Sequence, residues 1–297
     1  MPKPSNKADS DEAAFASAEK IAAGAFVYPQ MALPAQLKEA VKMIIRLVQP
    51  QKIFWIGTYA NKLEDKIHHE LLIVLPQQML RPHREYQTLV DHIGLTICAL
   101  SATLLKNTDY YKMLSAGHIY FTRFCRMERL LYTANDSPVP KPACIPVGQL
   151  IQQAEARFNN RFSHSRAFLE GAEFYIAKKH RALAAFMLQQ TVELTYRAIT
   201  LGLTGHELLS NQLRSHLIKA YRCSPEIDAA FSPENEADMQ LLELLETAYI
   251  QGRYKDHFRV NPAELNLLLD KTARLHQIAE AAFKYHLHAI TKVLQQL

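Results

Sequence analysis

Four prolines fall within eleven residues in Asp136-Ser137-Pro138-Val139-Pro140-Lys141-Pro142-Ala143-Cys144-Ile145-Pro146, and no other stretch constrains the chain as strongly. Proline fixes φ and has no amide proton, so neither a helix interior nor a central strand can run through such a segment. It reads as a semi-rigid extended connector that separates two differently patterned halves. With 297 residues in all, each half is long enough to bury a core of its own. The expected organisation is a mobile leader over 1–30, an α/β domain over 31–135, a linker over 136–147 and a helical bundle over 148–297.

Composition narrows the class. Hydrophobic residues at 48% and charged residues at 21% describe a globular, soluble chain, and a net charge of +5 permits contact with nucleotides or nucleic acid without demanding it. Cys98, Cys125, Cys144 and Cys223 form no CxxC pair and no metal-finger spacing, so they read as reduced thiols of a cytoplasmic protein. The polar, Ala-rich stretch Met1 to Lys20 lacks the layout of a secretion signal. No run of about 18 apolar residues exists, so no membrane span is expected.

In the front half, Leu33, Leu37, Val41, Ile44, Ile45 and Val48 recur with helical period up to Pro50. Lys52-Ile53-Phe54-Trp55-Ile56 is a short aromatic and β-branched run that predicts a strand ending at Gly57, followed by a polar loop. Glu70 to Leu75 predicts a second strand, closed by Pro76; Arg84 to Ile93 a helix; Leu95 to Leu100 a third strand; and Thr103 to Ser115 a helix stopped by Gly117. Strands alternating with helices argue for a sheet covered by helices.

The succession Ile53-Phe54-Trp55-Ile56-Gly57-Thr58-Tyr59-Ala60, then Ile67-His68-His69-Glu70-Leu71-Leu72-Ile73-Val74, resembles the nucleotidyltransferase fold of the DNA polymerase β superfamily. In that family a Gly-Ser pair at the head of a helix approaches the triphosphate. An Asp-x-Asp strand then holds two magnesium ions for in-line transfer. Here Thr58 stands in for the serine, His68 and Glu70 occupy the places of the two aspartates, and Leu95 to Leu100 supplies no third carboxylate. Magnesium prefers oxygen ligands in octahedral geometry. The resemblance therefore implies a catalytically silent domain with a degenerate site at Gly57, Thr58, His68 and Glu70. No metal is expected there, and the simplest reading of His68 and His69 is that they are surface residues at a loop end.

The rear half is helical throughout. A helix runs from about Gln149 through Arg161, or continues with a break toward Lys179; the run from Phe162 to Leu201 is the centre of the half. Within that run Leu183, Met187, Leu194, Ala198 and Leu201 recur at three- and four-residue steps as a buried face. Gln189, Gln190, Glu193 and Arg197 form a second, polar stripe, with Glu193 four residues before Arg197 in the favourable ion-pair order. Such a stripe is either solvated surface, the commoner case, or one wall of a ligand groove. Helices follow over Asn211 to Tyr221, over Glu234 to Gln251 with Gly252 ending it, and from Pro262 to the end, where Leu265, Leu268, Leu275, Ala279, Ala282, Phe283 and Ile290 keep the period. Short connections imply an up-and-down bundle.

Ala167-Phe168-Leu169 with Ala172, Ala185 through Glu193, Asn211-Gln212-Leu213-Arg214, and Ala248-Tyr249-Ile250-Gln251-Gly252-Arg253-Tyr254-Lys255-Asp256 together make this half resemble a HEPN domain, a helical module often found beside nucleotidyltransferase-like domains. Many members cleave RNA without metal, through an Arg and a His separated by four to six residues. Only three residues separate Arg253 from His257, and Arg157 with His164 lies at the wrong end of the domain. The resemblance implies a nucleotide or RNA ligand, with ATP or GTP as the candidate small molecules and magnesium not required, and a homodimer formed through the bundle. Arg253, Tyr254, Lys255 and His257 combine phosphate-seeking charge with a ring for base stacking; Gln190, Glu193 and Arg197 are the candidate facing wall. The bland alternative is that Gly252 caps a helix and the residues after it merely anchor a turn. Two enzymatic alternatives stand beside binding: a metal-independent ribonuclease built on Arg253 and His257, and a magnesium-dependent nucleotidyltransferase using Glu70 with Glu64 or Asp65.

Overall fold

The structure is a computed structural model and describes residues 33–61, 66–134, 139–141, 143, 145–205, 210, 212–252 and 258–295. The expected leader, Glu64, Asp65, Asn211, parts of the Pro-rich linker and the whole of Arg253 to His257 lie outside the described residues. The chain divides into two compact units: one runs to Ala116 and takes in Phe124–Ala143, the other is Gly117–Arg123 with Cys144–Leu297.

The first unit begins with α1 (Ala35–Val48), whose Leu37, Val41, Ile44, Ile45 and Val48 are all buried, as their spacing predicts. Four strands follow: β1 (Lys52–Asn61), β2 (Lys66–Val74), β3 (Leu100–Leu105) and β4 (Leu130–Thr133). They form one mixed sheet in the order β3-β2-β1-β4. β1 is antiparallel to both neighbours, whereas β2 and β3 are parallel, joined by the crossover helix α2 (His83–Thr96). α1 and α2 pack with Ile53, Leu71, Ile73, Ala102 and Leu104 in a core on one sheet face. On the other face α3 (Asn107–Ser115) sets Tyr110 on the Phe54 ring, with centroids 6.0 Å apart.

Two sequence expectations change here. The stretch after Gly57 is not a loop: β1 continues through Thr58 and Tyr59 to Asn61, pairing with β2 as far as Lys66. A bulge at Ile56–Gly57 allows this, with Gly57 at φ +153° and the Ile56 carbonyl accepting from Arg129 Nη1 at 2.8 Å. The third strand is also displaced. Tyr86, Val90 and Ile93 carry a helical period that keeps Leu95 and Thr96 in α2, so pairing starts only at Leu100, and α3 starts at Asn107 instead of Thr103. A short apolar run such as Leu95 to Leu100 fits either state, and the helix wins because the period continues into it.

The second unit holds the short α4 (Ile119–Phe124, through Arg123), then α5 (Val147–Ala177), α6 (Arg181–Thr204), α7 (Leu213–Cys223), α8 (Glu236–Gln251) and α9 (Pro262–Gln295). α5 runs without the expected break, and the expected run from Phe162 to Leu201 is instead two helices folded back at Lys178–His180. α6 is the hub, with α5, α7, α8 and α9 all packed on it. The buried set on α9 includes every residue that its period singled out. Gly202 lies inside α6, where a Cβ would come 2.6 Å from Phe283 Cε2 and 3.0 Å from Phe158 Cβ. Its absence lets the Phe158 and Phe283 rings stack at 4.0 Å beside the helix. The helix ends at Gly205, in the left-handed conformation at φ +68° and against the His118 ring.

Two polar knots tie the bundle. Ser165 Oγ on α5 lies 2.7 Å from the Thr191 carbonyl, 2.7 Å from Thr195 Oγ1 and 2.7 Å from His276 Nε2, so three helices share one buried hydroxyl. Lys271 Nζ sits 2.7 Å from Asp238 Oδ1 and donates to the Ala230 carbonyl at 2.9 Å, while Asp238 Oδ2 accepts from the Ser232 amide.

Candidate functional site

The polar stripe of α6 is not solvated. Gln189 is fully buried, and Glu193 and Arg197 expose only 13% and 22% of their side chains. The four residues form a chain. Gln190 Nε2 donates to Gln189 Oε1 at 2.5 Å, and Gln189 Nε2 to Glu193 Oε2 at 3.0 Å. Arg197 Nη1 donates to Glu193 Oε1 at 2.8 Å. Both carboxylate oxygens are thus partnered from the helix itself, as a desolvated carboxylate requires. The expected apolar face is also redrawn: Ala198 is buried, but Leu183, Met187, Leu194 and Leu201 are only half-buried. Ala184, Ala185, Leu188, Val192, Tyr196 and Ile199 fill the interior instead. A helix surrounded by neighbours buries residues all round, so the contrast between faces that spacing relies on is lost.

At 3.6 residues per turn, Ala182, Phe186, Gln189, Gln190, Glu193 and Arg197 fall within an arc of about 100°. The end of α8 packs on the same arc. The Tyr249 ring stacks on Phe186 with centroids 6.4 Å apart. A Cβ on Gly252 would come 2.9 Å from the Ala182 carbonyl oxygen, so α8 approaches the α6 backbone closely. Sequence reasoning missed Phe186 and Ala182 as members of this face, though their four- and seven-residue offsets from Gln190 and Gln189 carry the signal. Arg253, Tyr254, Lys255 and His257 are outside the described residues.

In the first unit the register sorts the residues of the expected degenerate site. Gly57 is opposite Glu70 and Tyr59 is opposite His68, while Thr58 is opposite His69. Alternation puts His68 and Glu70 on one face and Thr58 on the other. Gly57, His68 and Glu70 therefore come together and Thr58 does not; nor do Gly57 and Thr58 head a helix, since both belong to β1. His68 is a buried strand residue, not a loop-end one, with its ring 5.4 Å from that of Tyr59. Three hydroxyls join this face: Tyr59 OH lies 2.8 Å from Ser101 Oγ, and Thr103 Oγ1 donates to Glu70 Oε1 at 3.5 Å. Ser101 and Thr103 were readable as a two-residue alternation inside an apolar run, once β3 is given its proper register. One carboxylate, one imidazole and neutral hydroxyls do not fit a pair of magnesium ions. Among the described residues no three His, Cys, Asp or Glu side chains converge to hold a metal. On the opposite face a cavity of about 400 Å³ opens at the end of α2, lined by Lys66, Ile67, His69, Leu95, Thr96 and Cys98 among others. Burial, aided by the neighbouring His68, holds the His69 imidazole below its usual range.

No helix among the described residues is long and apolar enough to cross a membrane. Compared with known proteins, residues 158–285 match the HEPN domain model. No curated protein matches the chain. Among solved structures, the crystal structure of TT1696 from Thermus thermophilus is 21% identical, over 42% of this chain and 98% of that one, with a TM-score of 0.30.

Proposed function

We infer from the HEPN domain carried by residues 158–285 that this protein binds a nucleotide or RNA through its helical unit. That match, running from within α5 to within α9, is the observation the reading rests on. In this reading Arg253, Tyr254, Lys255 and His257 hold the phosphates and a base, ATP or GTP being the small-molecule candidates. Gln190, Glu193 and Arg197 contribute from the α6 arc on which α8 ends. Supporting it, Gly252, the residue before Arg253, sits against that arc at Ala182. The closed Gln190–Gln189–Glu193–Arg197 chain acts as a rigid wall, not as a source of free charge.

The front unit is read as a nucleotidyltransferase-like domain without catalysis. Its helix, strand, Gly-Thr, strand order supports the likeness, and the donor set around Glu70 supports the silence. The protein works as a homodimer through the bundle, in the cytoplasm, where Cys98, Cys125 and Cys223 remain reduced thiols.

Thermal unfolding with and without ATP, GTP and magnesium tests the reading. A nucleotide that favours the native state raises the melting temperature, and Arg253→Ala removes the rise. RNA degradation in EDTA that disappears in His257→Ala would replace binding by metal-independent cleavage. Magnesium-dependent label transfer that disappears in Glu70→Gln would overturn the silence of the front unit.

A further inference from the structure

We propose that the turn joining α5 to α6 docks a single-stranded polynucleotide, with Lys178, Lys179 and Arg181 on its phosphates and Phe174 under a base. This rests on the nucleotide-or-RNA reading of the same domain and extends it from a nucleotide to a polymer.

Lys178, Lys179, His180 and Arg181 are four consecutive exposed residues. Glu170 and Glu173 precede them on α5, and the sequence then holds no acidic residue until Glu193. Among the described residues none of the three cations is paired with a carboxylate. Beside them Phe174 exposes 57% of its surface. Lys178 Nζ lies 5.8 Å from the Phe174 centroid, and Tyr175 meets Phe174 and His180 edge-on at 5.5 and 6.2 Å. Charge for phosphates and a π-face for bases thus occur in one corner, the pairing by which single strands are held without sequence readout. An acidic peptide would use the cations and leave the ring idle.

The backbone supplies an independent argument. The His180 amide donates to the Tyr175 carbonyl at 2.9 Å and the Lys179 amide to that of Ile176 at 2.9 Å, so the turn is a Schellman motif. Lys179 occupies its left-handed position, at φ +62°. Glycine is the favourable residue there, and any Cβ is conformationally disfavoured. Side chains held in such positions concentrate where the side chain is used. Gly252 packs at Ala182, one residue beyond the cationic run, so α8 ends beside this corner.

The test is fluorescence anisotropy of an end-labelled 12-mer oligouridylate over a range of salt. Replacing all three cations (Lys178→Ser, Lys179→Gly, Arg181→Ser) should weaken binding at least tenfold. The log–log salt slope should fall by about 2, from three contacts at about 0.7 each. Lys179→Gly alone should weaken binding while holding or raising the melting temperature, which a merely structural lysine would not do. Phe174→Ser should weaken binding and leave the slope unchanged. An unchanged affinity and slope in the folded triple variant overturns the proposal. So does failure of the wild type to bind the 12-mer, or displacement by poly-glutamate as effective as by oligouridylate. The triple variant should keep its thermal response to ATP, whereas Arg253→Ala loses that response, so failure here and failure of the nucleotide reading are told apart.

Discussion

Acidification should destabilise the helical unit through His276. Its imidazole is pushed from the usual value near 6.5 down to about 4, first by burial and then by Arg166, with Glu280 opposing. The Phe162 ring lies tilted against it with centroids 4.7 Å apart, and Ser165 Oγ meets Nε2 at 2.7 Å. Between those two pH values the unfolded chain holds a proton that the folded one does not. Stability is therefore complete above pH 6.5 and falls as the pH drops towards 4. A depression of about 2.5 units at about 1.36 kcal/mol each amounts to roughly 3 kcal/mol, a large share of what a domain has. Urea unfolding of the wild type and His276→Gln at pH steps from 7.5 to 4 reads this directly. Glutamine keeps a polar group near Ser165 and does not titrate. The stability difference between the two proteins should shift by about 3 kcal/mol over that range in favour of the variant, the other histidines cancelling in the subtraction. Parallel pH profiles would refute the reasoning.

Lys271→Met should cost about 3 kcal/mol in urea unfolding, because it leaves the buried Asp238 carboxylate without its cation. Gly202→Ala should cost about 1–3 kcal/mol by forcing the stacked Phe158 and Phe283 rings apart, seen as a lower melting temperature with unchanged helical circular dichroism. Gly205→Ala should cost about 2 kcal/mol or more, since it adds a left-handed penalty to a collision with His118; Gly205→Ala combined with His118→Ala should recover part of the loss.

The elements most legible in the sequence are those whose two faces differ. α1 and α9 each bury one side, so Leu37 to Val48 and Leu265 to Ile290 announced themselves by spacing, while Pro262 marked the start of α9 and Gly252 the end of α8. α6 defeated the same reasoning because packing on all sides removes the contrast, and Gln189 looked like surface only because its partner Glu193 is four residues away on the same helix. The reversal at Lys178–His180 carries neither glycine nor proline, so the sequence offered no stop signal where the chain turns. In the sheet, Gly57 suggested an end to β1, but a bulge supported by Arg129, 73 residues away, carries the strand past it. That contact is tertiary, and no local window contains it.

α6 is enclosed by four other helices, and this sets how the rear unit can come apart. The amide protons of its central turns, around the buried Leu188 to Ile199, are shielded by those neighbours, so in deuterated water they should be the last to exchange, at rates governed by the opening of the whole unit. Fraying would then belong to the outer ends of α5 and α9, and a chain cut anywhere between Arg181 and Thr204 should leave no independently folded helical remnant.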